Sequence, residues 1–163
     1  MNKDIVLRNS LRADDPAAIR NICTSTGFFR PDEIEVAVEL AEETLQRGKE
    51  SGYEFIFADK GDQVVAYLCY GLIPCSLISY DLYWIATEKS FQNSGLGKLL
   101  MHEMEKKVKA SGGRAIYAET SSIPLYESTR AFYERYGYIL EHTMMDFYNT
   151  GDDKLVYVRR FQA

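Results

Sequence analysis

"FQNSGLGKLL", residues 91–100, sets two glycines and an Asn–Ser pair directly ahead of an amphipathic segment. A helix start presents unpaired N–H groups and the positive end of the macrodipole, so it favours acidic residues. No Asp or Glu occurs from Phe91 through Met101, and Lys98 falls in the first turn. Such a start is mildly unfavourable alone and is relieved by an anion from outside the chain. Glycine lets the backbone curve closely around that anion.

Outward from this elbow, the sequence alternates clearly between strand and helix patterns. "YDLYWIAT" before it reads as a strand. After it, Leu96, Leu100, Met104 and Val108 fall on one helical face, with Lys and Glu opposite, until "SGG" ends the helix. "RAIYAET" reads as a buried strand, and residues 125–136 as a helix stopped by Gly137. Two strands, "YILEHTMMDFY" and "DKLVYVRRF", close the chain around the turn "NTGDD" as a plain hairpin. Towards the N-terminus, "YEFIFAD" and "QVVAYLCYGLI" flank the turn "KGD" as another hairpin. Ahead of these lie a first strand in "IVLRNS", a helix over residues 14–24, and a second helix opened by Pro31. The order is β-α-α-β-β-β-α-β-α-β-β. It predicts an α+β (mixed α/β) fold, with a mixed, mostly antiparallel sheet of about six to seven strands and helices on both faces.

Composition bounds the function. At 163 residues the chain reads as a single domain, 1–163, with 46% apolar and 26% charged residues. Its net charge of −5 argues against a nucleic-acid-binding surface and for a neutral or cationic partner. The longest apolar run, "VVAYLCYGLIPC", is short and interrupted by Gly71 and Pro74, so no membrane span is expected. With no leader pattern in "MNKDIVLRNS", Cys23, Cys69 and Cys75 read as reduced thiols of a cytoplasmic protein. The two histidines, His102 and His142, lie far apart, so no metal site is expected.

Three phosphate loops can be tested against the elbow. Walker A fails because Gly95 and Gly97 are too close and Leu99, not Ser or Thr, follows Lys98. The dinucleotide pattern fails at its third glycine, where Leu100 stands. Q-x-x-G-x-G, supplied by Gln92, Gly95 and Gly97, fits. This stretch resembles the acyl-CoA pyrophosphate loop of the GNAT superfamily of N-acetyltransferases, and the element order matches that family over roughly residues 4–160. The resemblance implies acetyl-CoA as cosubstrate, its pyrophosphate held by backbone amides of Gln92, Asn93, Ser94, Gly95, Leu96, Gly97 and Lys98. The strand edge near Ile85 and Thr87 would pair with the pantetheine arm as another strand would.

A second stretch, "YESTRAFYERYGY", resembles the family's other signature, aromatic–Tyr–x–x–x–Gly–aromatic, in Phe132, Tyr133, Gly137 and Tyr138. The resemblance makes Tyr133 the general acid that protonates the departing thiolate, a task suited to a neutral phenol. Family members often carry Asn seven residues before this tyrosine and Ala four before it. Tyr126 and Thr129 stand there instead, so the usual side-chain contact to pantetheine falls to Tyr126. Similarity to histone-type members places the base at Asp81, eleven residues before Gln92. Alternation puts Asp81, Tyr83, Ile85 and Thr87 on one strand face. Glu119 is the second candidate, and a water relay is the third.

On the acceptor side the family shapes its pocket from the first two helices and their connection, here "TSTGFFRPDEIE". Phe28 and Phe29 would form an apolar wall, and Asp32, Glu33 and Glu35 would attract a cationic amine. The expected activity is direct acetyl transfer to a primary amine of a small molecule or peptide. The rival reading is a silent acyl-CoA sensor. Similar proteins often form sheet-edge dimers, which makes a homodimer the assembly to test.

Overall fold

A computed structural model describes residues 4–162. Seven strands and four α-helices follow in the expected order. They are β1 (Ile5–Arg8), α1 (Asp15–Thr26), α2 (Pro31–Arg47), β2 (Glu54–Lys60), β3 (Gln63–Leu72), β4 (Ser79–Thr87), α3 (Leu96–Ala110), β5 (Ala115–Ser121), α4 (Glu127–Arg135), β6 (Ile139–Asn149) and β7 (Asp152–Arg160). The strands are hydrogen-bonded in the order β1-β2-β3-β4-β5-β7-β6. The β4–β5 pair is parallel, while β1–β2, β2–β3, β5–β7 and β6–β7 are antiparallel. This is the mixed sheet the hairpins and the strand–helix–strand crossover predict.

The chain divides into two compact units: residues up to Gly71 with Trp84–Lys106, and Leu72–Tyr83 with Lys107 onward. In the first, Phe55–Asp59 of β2 and Val65–Tyr70 of β3 are buried without alternation, as expected of strands covered on both faces. Ile19, Ile22 and Cys23 of α1 and Ile34, Ala37, Val38 and Ala41 of α2 are buried at helical spacing. Arg8 ties three elements of this unit. Its guanidinium donates to Asp15 Oδ2 at 2.7 Å and Oδ1 at 2.8 Å, and to Asp59 Oδ2 at 2.8 Å. Arg12 Nη1 lies 3.4 Å from Asp59 Oδ2, so the two buried carboxylates face two guanidinium groups and each charge has a partner.

In the second unit, β5 is the central strand, flanked by β4 and β7. Its register with β4 runs from Ser79–Ala115 to Leu82–Ala118 and ends there, while with β7 it continues to Ser121–Lys154. Strand β6 lies at the end of the strand order and is exposed along its length. The helix expected over residues 125–136 opens as a 3-10 turn, Pro124–Tyr126, with Pro124 at its start, where a missing N–H costs no intrahelical bond.

Candidate active site

The glycine elbow lies in the first unit. Strand β4 ends at Thr87, a 3-10 turn covers Lys89–Phe91, and α3 begins at Leu96. Asn93 (φ 60°) and Gly95 (φ 87°) both take the left-handed conformation. Glycine adopts it freely and Asn tolerates it better than most residues. Gly95 caps α3, its carbonyl accepting from Leu99 N at 3.0 Å. The amides of Leu96 and Gly97 therefore belong to the first turn, ahead of the first intrahelical hydrogen bond. Gln92 Nε2 donates to the carbonyl of Thr87 at 3.4 Å, and Lys89 N to Ser25 Oγ at 3.1 Å. Leu96 is buried, as are Leu100, Met101 and Met104, so the helix is anchored while residues 92–95 stay exposed. Ile85 and Thr87 are half-buried on β4.

Tyr133 lies in the second unit, and its motif has a geometric meaning. Gly137 N donates to Glu134 O at 3.0 Å and Tyr138 N to Tyr133 O at 3.0 Å, a Schellman motif closing α4. That cap needs a left-handed residue, and Gly137 supplies it at φ 82°. It also calls for an apolar contact between the residue after the glycine and the third from the helix end. Here this is Tyr138 on Tyr133, with ring centroids 5.7 Å apart. Tyr157 of β7 packs on Tyr133 at 5.8 Å. The aromatic–Tyr–x–x–x–Gly–aromatic run is thus a device for seating one tyrosine. Burial, with Tyr148 adding to it, pushes the Tyr133 phenol well up, so it stays protonated across the neutral range.

Asp81, Glu119 and Lys154 gather on the other face of the same strands. Asp81 stands opposite Tyr117, Glu119 opposite Val156, and Ser121 opposite Lys154. Tyr157, which packs on Tyr133, stands opposite Ala118 and so points the other way. Burial pushes the Asp81 carboxyl up to about 6, with Glu119 adding repulsion and Lys154 opposing it. Lys154 Nζ donates to Glu119 Oε2 at 2.8 Å. The sheet therefore presents a protonated phenol to one face and a carboxylate poised near neutrality to the other.

The remaining candidates fall as follows. Phe29 packs edge-on against Trp84 of β4 at 4.9 Å, and Phe28 is likewise half-buried. The acidic residues beside them are paired: Asp32 and Glu33 with Arg30, Glu35 with Arg20. Tyr126 is half-buried at the end of its 3-10 turn. Cys69 is buried, which raises its thiol, and Cys23 is pushed up to about 11 by burial despite its contact with Tyr67. Neither is a thiolate at neutral pH. Among the described residues no cluster of His, Cys, Asp or Glu could hold a metal ion, and no helix is long and apolar enough to cross a membrane.

Two residues in this region had no sequence signal. Lys154 lies in the closing hairpin, and only the β5–β7 register brings it to Glu119. Thr120 is buried with an Oγ1 that finds no hydrogen-bond partner, just past the last β4–β5 pair.

The sequence profile of the acetyltransferase (GNAT) family matches residues 18–138. A crystal structure from Desulfovibrio desulfuricans, described as a GNAT-family acetyltransferase, is 43% identical over 96% of this chain and 98% of that one, with a TM-score of 0.94. A GNAT-family acetyltransferase from Elizabethkingia anophelis with acetyl-CoA bound shares the fold at 15% identity, covering 98% and 99%, TM-score 0.71. The ribosomal-protein-S18-alanine N-acetyltransferase of Escherichia coli does so at 16% identity, covering 98% and 95%, TM-score 0.75. No curated protein matches the chain in sequence.

Proposed function

Since the chain belongs to the acetyltransferase (GNAT) family, we propose that it moves an acetyl group from acetyl-CoA directly to a primary amine, the whole chain acting as one transferase domain. The observation that carries this reading is the acid-free start of α3, entered through the left-handed residues Asn93 and Gly95. Backbone amides from Gln92 to Lys98 would receive the pyrophosphate, and Ile85 and Thr87 the pantetheine arm. Binding of acetyl-CoA by the Elizabethkingia relative supports this assignment.

In the chemical step the amine nitrogen attacks the thioester carbonyl carbon. Backbone amides of β4 polarise that carbonyl, and the C–S bond breaks as the tetrahedral adduct collapses. The ammonium proton passes to Asp81, which is ionised above pH about 6. The thiolate takes its proton from Tyr133, a phenol whose burial keeps the proton available. Phe28 and Phe29 would line the acceptor side. The neighbouring acidic residues are already bound by arginines, so they are not assigned to amine recognition.

The test is calorimetric titration with acetyl-CoA, coenzyme A and ATP, followed by thiol release against a panel of small and peptide amines. Micromolar acetyl-CoA binding with thiol release on one amine class is the expected result. Tight binding without turnover on any amine would favour an acyl-CoA sensor. No binding would reduce the glycine elbow to a turn.

A further inference from the structure

We infer that Lys154 is a positioning residue that holds Glu119 as an ion pair and thereby leaves Asp81 as the single carboxylate that takes the amine's proton. The inference rests on the transfer reading above, and its geometry lies wholly within the second unit. Lys154 Nζ is 2.8 Å from Glu119 Oε2, and the lysine side chain is only 13% exposed. The same ammonium lies 3.9 Å from the centroid of the Phe147 ring. A largely desolvated lysine held by one carboxylate and one aromatic face is a fixed charge.

Strand β6 is shaped to provide that aromatic face. Its register with β7 breaks between Met144–Lys154 and Asn149–Asp152, leaving four residues of β6 against one of β7. Asp146 takes φ 51° within the bulge. It is pinned there twice: its N–H donates to Asp153 Oδ1 at 2.9 Å, and its Oδ1 accepts from Gly151 N at 2.6 Å. A bulge of this kind re-aims side chains beside functional sites, and here it carries Phe147 over Lys154. Phe147 packs edge-on with Tyr148 at 5.0 Å, which steadies its ring.

The consequence for Asp81 follows from charge. On its face of these strands the titratable and charged neighbours are Tyr117 and Glu119 from β5, Lys154 and Arg160 from β7, and, one strand further, His142 from β6, with Arg160 paired to Glu141. Of these, Glu119 and Lys154 act on Asp81 with opposite sign. Glu119 already accepts a charge-assisted hydrogen bond from Lys154, so its carboxylate is engaged in that ion pair. Asp81 has no such partner and is desolvated, so it is the carboxylate whose protonation changes in the working range.

Carboxyl 13C NMR on the full chain, following Asp81 from pH 4 to 9, reads this directly. Lys154→Met is expected to move the Asp81 midpoint to higher pH, because Glu119 then repels without opposition. Glu119→Gln is expected to move it lower, and Lys154→Arg to return it towards the wild-type value. The acidic limb of kcat/KM should move in the same two directions. An Asp81 midpoint unmoved by both Lys154→Met and Glu119→Gln, or moved the same way by both, would overturn the inference. If the midpoint moves as expected but no amine is acetylated, the charge pair stands and the transfer reading fails. The NMR readout thus separates the two.

Discussion

The glycine elbow and the Asp81–Glu119–Lys154 cluster are built on opposite principles. The elbow is made of backbone: Asn93 and Gly95 turn the chain left-handed, and the first turn of α3 supplies N–H groups. It needs residues from one ten-residue window and little side-chain chemistry. The cluster is made of side chains from three strands, with Glu119 and Lys154 separated by 35 positions in sequence. A site made of backbone is tuned by conformational cost, whereas one made of side chains is tuned by burial and neighbouring charge. On the proposed reading, the first should govern how tightly acetyl-CoA binds and the second how fast the acetyl group moves.

The sharpest way to break that division is Tyr133→Phe. Loss of the acid should lower kcat by ~10²–10⁴-fold while calorimetry shows coenzyme A affinity unchanged. An equal fall in affinity would mean that Tyr133 belongs to binding rather than to chemistry. Next comes the pH profile. With Asp81 at about 6, the base is ionised above that value and kcat/KM should fall as pH drops through it. Asp81→Asn should abolish the limb, with a rate loss of ~10²-fold or more. A limb surviving unchanged in that variant would assign it to another group.

A smaller effect is expected at the elbow. The space beside Gly95 is open, so an added Cβ meets no atom, and the cost of Gly95→Ala is conformational. Forcing a left-handed alanine costs about 1–2 kcal/mol, or about 5–30-fold in coenzyme A affinity if the loop relaxes to avoid it. Turnover at saturating acetyl-CoA should hold. At Gly137 the same conformation is reinforced by space, because an added Cβ would collide with Arg159 Nη1. The arginine tip can swing away, so Gly137→Ala should lower Tm by about 2–4 °C, the shift expected for ~1 kcal/mol in a chain of this size. Its effect on kcat should exceed its effect on coenzyme A binding, since the cap seats Tyr133.

The smallest effect is on stability, and its sign is set by linkage. Asp81 has a folded value raised to about 6, so the folded state binds more protons than the unfolded one between roughly pH 4 and 6. Ionised Asp81 therefore costs stability above that window, and the cost fades as pH falls through it. Asp81→Asn should raise Tm at pH 8 and lose most of that gain at pH 4. Thermal scans at the two pH values check it. An equal gain at both would point to packing rather than charge.

What was legible in advance follows the same division. Hydrophobic spacing marked α2 and α3, and turn residues such as Gly and Asp marked the hairpins. The left-handed elbow was legible because only certain residues adopt positive φ, and two glycines announce it. Tyr133 was legible as a motif, but the reason for the motif was not. The Schellman cap that sets Tyr138 against it exists only once α4 is folded. The acidic run Asp32, Glu33 and Glu35 read in sequence first as a solvated helix N-terminus and second as a cation trap. Arg30 is a local partner of Asp32 and Glu33, but Arg20 of α1, which holds Glu35, could not be seen before the helices packed.

The sequence by itself determined the element order, the helix start that lacks an acid, and the family to which that pattern belongs. These are properties of local windows, where periodicity, backbone freedom and turn chemistry act over a few residues. Tertiary structure alone decided which carboxylate is paired and which is poised. Glu119 and Asp81 are alike as residues, yet the β5–β7 register and the bulge in β6 bring Lys154 to one of them and leave the other desolvated. Coulomb interaction and desolvation depend on distance and burial in space, and neither quantity is written along the chain.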